Sequence, residues 1–475
     1  MENISKQKTR LAPNPQAVAW LVVAISFLIF CITCVASTYG AYWFIFQSPV
    51  SLRTELTVSR GTVTVILADG TKDYITGSTS PAENFIAPNS SIQLTDPNAQ
   101  AYVSFDDTYS GQTIADVFMF ANSTLSLDYA SRPRFEWSTQ RYSILLSNAT
   151  GHYSVDLADG LKRASVVTIQ SGAGGVQLEN VHNDDGTLSG GSFTIDALDQ
   201  SMRLYTQSGH GYLYASPDNA YQVDASMQGT LTGSKIDIGA YPYIMLNLPE
   251  PGPVQGSFNV EKDPLNPPPG WACTNYPNPD DPTEPLGQRL WARMDEHTVI
   301  EMVRQADHPL GHAETSCEFD FPRNLNNPFG LDISAYPSLS IRIKMKIINQ
   351  DVTTCGVQAS ECPVMLDIEY LDPDGNVQHW YQGFYSDRPP SDTSLLRCDS
   401  CPHDHEQISK NAWYIYRTGD LKIQSPFDVK PNDSKRVYLR KIRVYSSGHR
   451  YDVALSEVTV LGSRPPIDDR AGAAR

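Results

Sequence analysis

The chain has 475 residues, with 36 basic against 53 acidic side chains and a formal net charge of −17. That length holds two or three domains of the usual ~100–200 residues, so core size is not limiting. The acidic balance excludes a nucleic-acid partner, because neutralising phosphates takes a basic face.

The first element is a stretch without charge from Ala17 to Phe46. A hydrocarbon core of ~30 Å needs roughly 20 apolar residues as helix, whereas the apolar part of a cleavable signal is only about 7–15 residues. An uncleaved anchor over 17–46 is therefore expected, with the membrane as a partner. Cleavage near Ala36 or Ser37 is the competing expectation, against which Tyr42-Trp-Phe-Ile-Phe46 continues as an interfacial aromatic belt. Lys6, Lys8 and Arg10 crowd before the span, which places residues 1–16 as a short cytoplasmic tail and the bulk outside. The outer part then carries about −19.

From 47 to 248 the chain reads as short β-runs. Val63, Val65 and Leu67 alternate with polar neighbours, and Tyr153-Ser-Val-Asp-Leu157 and Ser192-Phe-Thr-Ile-Asp196 repeat the period of two. Asp69-Gly70, Asp159-Gly160 and Asp185-Gly186 punctuate the runs as turns. A Pro/Gly-rich segment beginning Leu248-Pro-Glu-Pro-Gly-Pro253 predicts a linker over 249–270. A second β-region follows over 271–463, then a tail over 464–475 expected to be disordered. In this second region Ile341-Arg-Ile-Lys-Met-Lys-Ile347 and Met365-Leu-Asp-Ile-Glu-Tyr370 each read as a half-buried strand, and Asp372-Pro-Asp-Gly375 predicts a hairpin between 364–370 and 377–384. Val437 to Tyr445 and Val453 to Leu461 read as closing strands of a sandwich.

Two of the eight cysteines, Cys31 and Cys34, lie in the apolar span. The other six, Cys273, Cys317, Cys355, Cys362, Cys398 and Cys401, form an even set in a compartment that permits disulfides. Short spacing suggests Cys355 with Cys362 and Cys398 with Cys401, leaving Cys273 with Cys317, although spacing alone does not choose among the possible connectivities.

The first region resembles the extracytoplasmic domain of FecR-type proteins, bacterial membrane-anchored regulators, on Gly61-Thr-Val-Thr-Val65, Ile86-Ala-Pro-Asn-Ser-Ser-Ile92, Ala101-Tyr-Val-Ser-Phe-Asp-Asp107, Leu125-Ser-Leu127, Gly191-Ser-Phe-Thr-Ile195 and Arg203-Leu-Tyr-Thr-Gln-Ser-Gly209. The resemblance implies a regulator, but about 16 residues before the membrane are too few to sequester a sigma factor. The second region resembles galactose-binding or carbohydrate-binding jelly rolls, on Leu331-Asp-Ile-Ser-Ala-Tyr336, Asp367-Ile-Glu-Tyr-Leu-Asp-Pro-Asp-Gly375, His379-Trp-Tyr-Gln-Gly-Phe-Tyr385, Trp413-Tyr-Ile-Tyr416 and Tyr445-Ser-Ser-Gly-His449. The expected fold is all-β outside a single N-terminal transmembrane helix: a FecR-like β-domain, then a jelly-roll sandwich.

Candidate chemistry is sparse. Flat aromatic rings stack on sugar faces, so Trp380, Tyr381, Trp413 and Tyr416 are the expected ligand-binding residues, the bland alternative being sandwich core. Cys398-Asp-Ser-Cys-Pro-His-Asp-His405 has zinc-ligand types, but a loop disulfide with solvated histidines is the plainer expectation, and no metal or cofactor is expected. Asp367 and Glu369 have the residue types of a glycosidase pair, yet cross-strand ion pairs with Arg342, Lys344 and Lys346 would account for them. Asp106-Asp107, Asp184-Asp185 and Asp372-Pro-Asp374 are ordinary turn acids or calcium ligands. No nucleophile elbow, HExxH or phosphate loop occurs. The expectation is a non-catalytic, anchored binding or sensing protein whose partner is a glycan or a cell-surface protein. A regulator acting through a membrane partner and a carbohydrate-active enzyme are the alternatives.

Overall fold

The structure is a computed structural model that describes residues 15–77, 84–135, 140–182, 188–216, 218–246, 270–295, 297–306, 311–323, 328–429 and 435–463. The expected linker (but for Gly270), the tail, the turn at 185–186 and nearly all of residues 1–16 lie outside them.

A helix runs from Pro15 to Tyr42 and widens into a π-helical turn over Trp43–Gln47. Proline suits the first helical turn, where its missing N–H leaves no bond unmade. The stretch Val18–Phe46 is long and apolar enough to cross a bilayer, which suits an anchor or a signal sequence, and its most apolar part is exposed. Only Ser48 separates the turn from the first strand, Pro49–Ser51, which pairs with Ser131–Pro133. Arg134 lies over the Phe44 ring, with the guanidinium carbon 4.9 Å from its centroid, and its Nε donates to Ser48 Oγ at 2.9 Å.

Beyond the helix the described residues form two β-bodies, with short 3₁₀ turns at Ile333–Ala335 and Leu421–Ile423. In the first, strands between Pro49 and Ala240 close into a barrel around one apolar core. The long strand Tyr142–Leu157 serves both sides: residues 142–146 run parallel to Ser165–Ile169, while residues 153–157 sit between Gln112–Phe120 and Gly191–Leu198. The strand changes sides at an irregularity between Ser147 and Thr150, followed by Gly151 at φ +109°, where a Cβ would come within 2.6 Å of the Ser123 Cα. Alternation holds as expected: Val63, Val65, Tyr153, Val155, Leu157, Phe193 and Ile195 all point into the core.

The second body is a jelly-roll sandwich. One sheet carries Gln288–Met294, His297–Arg304, Tyr451–Ser463, Leu339–Gln350 and Trp413–Arg417 in that order; the other carries Trp271–Tyr276, Ala313–Asp320, Tyr438–Gly448, Val364–Leu371, Val377–Tyr385 and Glu406–Gln407. The hairpin forms in the expected register, Val364 opposite Phe384 and Leu371 opposite Val377. The strand Tyr243–Met245, expected in the first region, instead pairs with Leu461–Ser463 at the edge of the second body. Disulfides join Cys273 to Cys317, Cys355 to Cys362 and Cys398 to Cys401.

Two expectations about charged strands are overturned. Arg342 and Lys344 are not on a solvated face but buried, because the first body covers the sheet that carries them. Asp367 and Glu369 do not meet Arg342, Lys344 or Lys346, which lie on the opposite sheet. Instead Asp367 bonds His379 at 2.8 Å and lies 4.0 Å from Arg443, while Glu369 pairs with Arg440 at 3.3 Å.

Candidate functional site

Of the aromatic residues read as a sugar platform, three are unavailable. Trp413 is fully buried between the bodies, in a cluster with Tyr102, Phe118, Val299 and Ala454. Its indole N–H donates to Asp295 at 3.0 Å and its carbonyl accepts from Ser59 Oγ at 2.6 Å. Trp380 and Tyr416 lie in the sandwich core, Tyr416 edge-on to Phe384 at 4.7 Å. Tyr381 alone is partly exposed, with its ring stacked on His379 at 5.6 Å. Alternation shows that a ring leaves one face of a strand; it does not show which face a second body covers.

The cysteine and histidine run is likewise split. His405 is buried between the Cys355–Cys362 and Cys398–Cys401 sulfurs, while His403 packs edge-on to Trp380. His405 Nδ1 accepts from the Gly383 N–H at 2.9 Å and Nε2 donates to the Ala359 carbonyl at 2.9 Å. With the sulfurs in disulfides and both ring nitrogens bonded to backbone, this cluster is organised as a structural clamp rather than as a ligand set.

A cavity of about 430 Å³ lies where the two bodies meet. Its floor is built from facing strands. Ser201–Ser208 of the barrel contributes Arg203, Tyr205 and Gln207, and Gly191–Leu198 contributes Asp196. From the sandwich, Leu339–Gln350 contributes Arg342, Trp413–Arg417 contributes Arg417, and Tyr451–Ser463 contributes Glu457 and Thr459. The segment that crosses between the bodies supplies one wall: Tyr241 stacks on Tyr205 with ring centroids 3.4 Å apart and 10° between planes, and Tyr243 follows at 5.4 Å.

The electrostatics are unusual for a stability element. Arg342 and Arg417 are direct cross-strand partners, and like charges placed opposite one another repel. Arg342 donates to Ser154 Oγ at 3.1 Å and has Glu457 3.4 Å from its Nε. Arg417 lies over the Phe120 ring at 4.5 Å and donates to His152 Nε2, with no carboxylate of the described residues in ion-pair range. His152 in turn donates from Nδ1 to Asp196. Burial, then the facing Arg342, push Arg417 down to about 10, so it stays charged at neutral pH. Burial and the Arg417 charge hold His152 below the ordinary histidine value in spite of Asp196, which fixes it as neutral and as an acceptor toward Arg417. Burial works to raise Asp196, but the His152 bond outweighs it and keeps the carboxylate ionised. Burial pushes the Tyr241 hydroxyl up to about 12, leaving it a neutral donor. Such a cleft can stack a flat ring on tyrosine and present both cationic and anionic hydrogen-bonding groups to its edges.

Comparisons with known proteins assign no family: no family model and no curated protein matches the chain. Among solved structures, an anti-sigma factor described as putative, from Parabacteroides distasonis, is similar at 12% identity and a TM-score of 0.21, over 33% of this chain and 66% of that one. A family 11 carbohydrate-binding module from Clostridium thermocellum, in complex with a mixed-linked tetrasaccharide, is similar at 10% identity and a TM-score of 0.22, over 44% of this chain and 95% of that one. A Trypanosoma rangeli sialidase is similar at 9% identity and a TM-score of 0.14, over 85% and 75%. Likeness at this level carries no assignment of function.

Proposed function

We propose that this chain is a membrane-anchored extracytoplasmic binding protein, without catalysis, that takes a saccharide in the cleft between its two β-bodies. The observation that carries the reading is the tyrosine wall: Tyr205 and Tyr241 stack beside a cavity lined by arginine, carboxylate, glutamine and serine side chains. Aromatic faces with polar groups at their edges suit sugar rings, which are apolar on their faces and hydroxylated around their rims. Three disulfides in the second body fit an oxidising compartment, and the apolar helix behind Lys6, Lys8 and Arg10 fits an anchor with its N-terminus inside. The test is a saccharide array on the full chain in nanodiscs, followed by titration of each hit against Tyr241→Ala. Binding weakened roughly tenfold or more in that variant supports the cleft, since stacking contacts of this kind are worth ~1 kcal/mol or more. Binding indifferent to Tyr241 places the ligand elsewhere, and an empty array removes the saccharide.

One observation favours an added sensing role. The helix joins the barrel through Ser48 alone and is fixed to it by the Arg134 contacts with Phe44 and Ser48, so motion of the barrel would be passed to the helix rather than absorbed by a linker.

A further inference from the structure

We infer that the saccharide taken by the cleft is acidic, a hexuronate whose carboxylate docks between the Arg342 and Arg417 guanidiniums. This rests on the reading of the cleft as a saccharide site and adds the charge of the ligand to it.

Two features of the cationic end point to a ligand rather than to stability. Arg342 and Arg417 face each other across a pair of hydrogen-bonded strands, a placement that costs free energy unless an anion lies between or beside them. Glu457 answers the charge of Arg342, at 3.4 Å, and is itself held by the Thr459 hydroxyl at 3.0 Å. Arg417 has no contact ion pair among the described residues: its guanidinium meets the edge nitrogen of a neutral imidazole and the face of Phe120, and Glu457 and Asp196 attract it only from beyond ion-pair range. The nearest acid on that side, Asp196, is already engaged by His152. A half-buried guanidinium with five donors and one neutral acceptor keeps donors open to the cavity, and a carboxylate is the group whose geometry fits it in a bidentate fork.

The neighbours decide what the carboxylate is attached to. Arg342, Arg417 and the tyrosine wall line one cavity of about 430 Å³, room for a short oligosaccharide and too little for a folded partner. In a hexuronate the carboxylate projects from the ring edge, so a ring stacked on tyrosine would direct its charge sideways toward the arginines while its hydroxyls meet Gln207, Gln228 and Ser340. Glu457 beside Arg342 limits the site to about one ligand charge, which disfavours densely sulfated or phosphorylated polymers.

The test uses the full chain in nanodiscs and three probes measured by calorimetry: a trisaccharide with a single terminal galacturonate, its methyl ester, and the neutral galactose-terminated trisaccharide. Methyl esterification keeps the ring and its hydroxyls and removes only the charge. The galacturonate probe is expected to bind at least about tenfold more tightly than its ester, since a hydrogen-bonded charge pair is worth that much. Arg417→Gln should abolish the difference, by weakening binding of the acid far more than that of the ester. Equal affinity for acid and ester in the wild-type protein overturns the inference, whatever the variants do. If the neutral trisaccharide then binds through Tyr241, the saccharide reading survives without it; if none of the three binds, and the array is also empty, both fall.

Discussion

Lys344 shows how much one residue can carry when two bodies close over it. Its ammonium is 3% exposed at the side chain, 2.7 Å from Asp156 and 3.1 Å from His297 Nε2, and it lies 4.3 Å from the centre of the Phe118 ring. Burial works to raise the Asp156 pKa, yet the attraction of Lys344 and its neighbours holds it at about 2. Lys344→Met would strand that carboxylate, and breaking a buried pair from one side costs roughly 3–5 kcal/mol. The expected result is a loss of that size in urea denaturation of the extramembrane part at neutral pH. Because the folded value lies below the ordinary 3.8, the stabilisation is present above pH ~4 and is lost as pH falls toward ~2. A gap between wild type and variant that is as wide at pH 2 as at pH 7 would rule this out. In sequence Lys344 was legible as the polar side of an alternating strand. That it is buried was not, because its partner Asp156 lies 188 positions away, in the other body.

At the scale of elements, the strand Trp413–Arg417 is an edge of its sheet, and exposed edges invite further pairing. Gln100 of the barrel closes it: the side-chain amide donates to the Ile415 carbonyl at 2.9 Å while its oxygen accepts from the Ile415 N–H at 2.7 Å. One side chain thus substitutes for a residue of a neighbouring strand. Gln100→Ala should cost about 1–3 kcal/mol, because it leaves a buried N–H and a buried carbonyl without partners. Gln100→Glu should keep the acceptance and lose the donation. Thermal unfolding that is unchanged in Gln100→Ala would show that water satisfies the edge instead. Strands and turns were readable from alternation and Asp-Gly pairs because those signals are local. The candidate site was not: Trp380 and Trp413 were singled out for their ring chemistry and proved buried, whereas Tyr241 sits beside a proline in a segment with no periodic pattern. Arg342 was visible as a basic position of a strand, but its pairing with Arg417 is a matter of strand register across 75 residues, which neither local sequence carries.

At the scale of the molecule, the bodies are joined by buried polar contacts as well as by the apolar cluster around Trp413. Arg60 meets Glu406, Lys344 meets Asp156, His297 meets Asp116 at 3.2 Å, and the Ser409 N–H donates to the Ser59 carbonyl at 2.8 Å. A seam of this kind resists sliding, since each contact is satisfied in one relative position. The cavity it encloses is therefore held open by the architecture and does not need the ligand to assemble it.

The strand Tyr243–Met245 leaves the barrel and is sewn into the edge of the sandwich before the chain reaches 247–269, and all three disulfides lie beyond that point. The covalent connection through 247–269 is thus redundant for cohesion. A protease site inserted there and cut should yield two pieces that migrate together on a native gel and separate in detergent without reductant. The same feature makes the protein divisible: its two lengths of chain could be produced as separate polypeptides and recombined, each half reporting on the presence of the other.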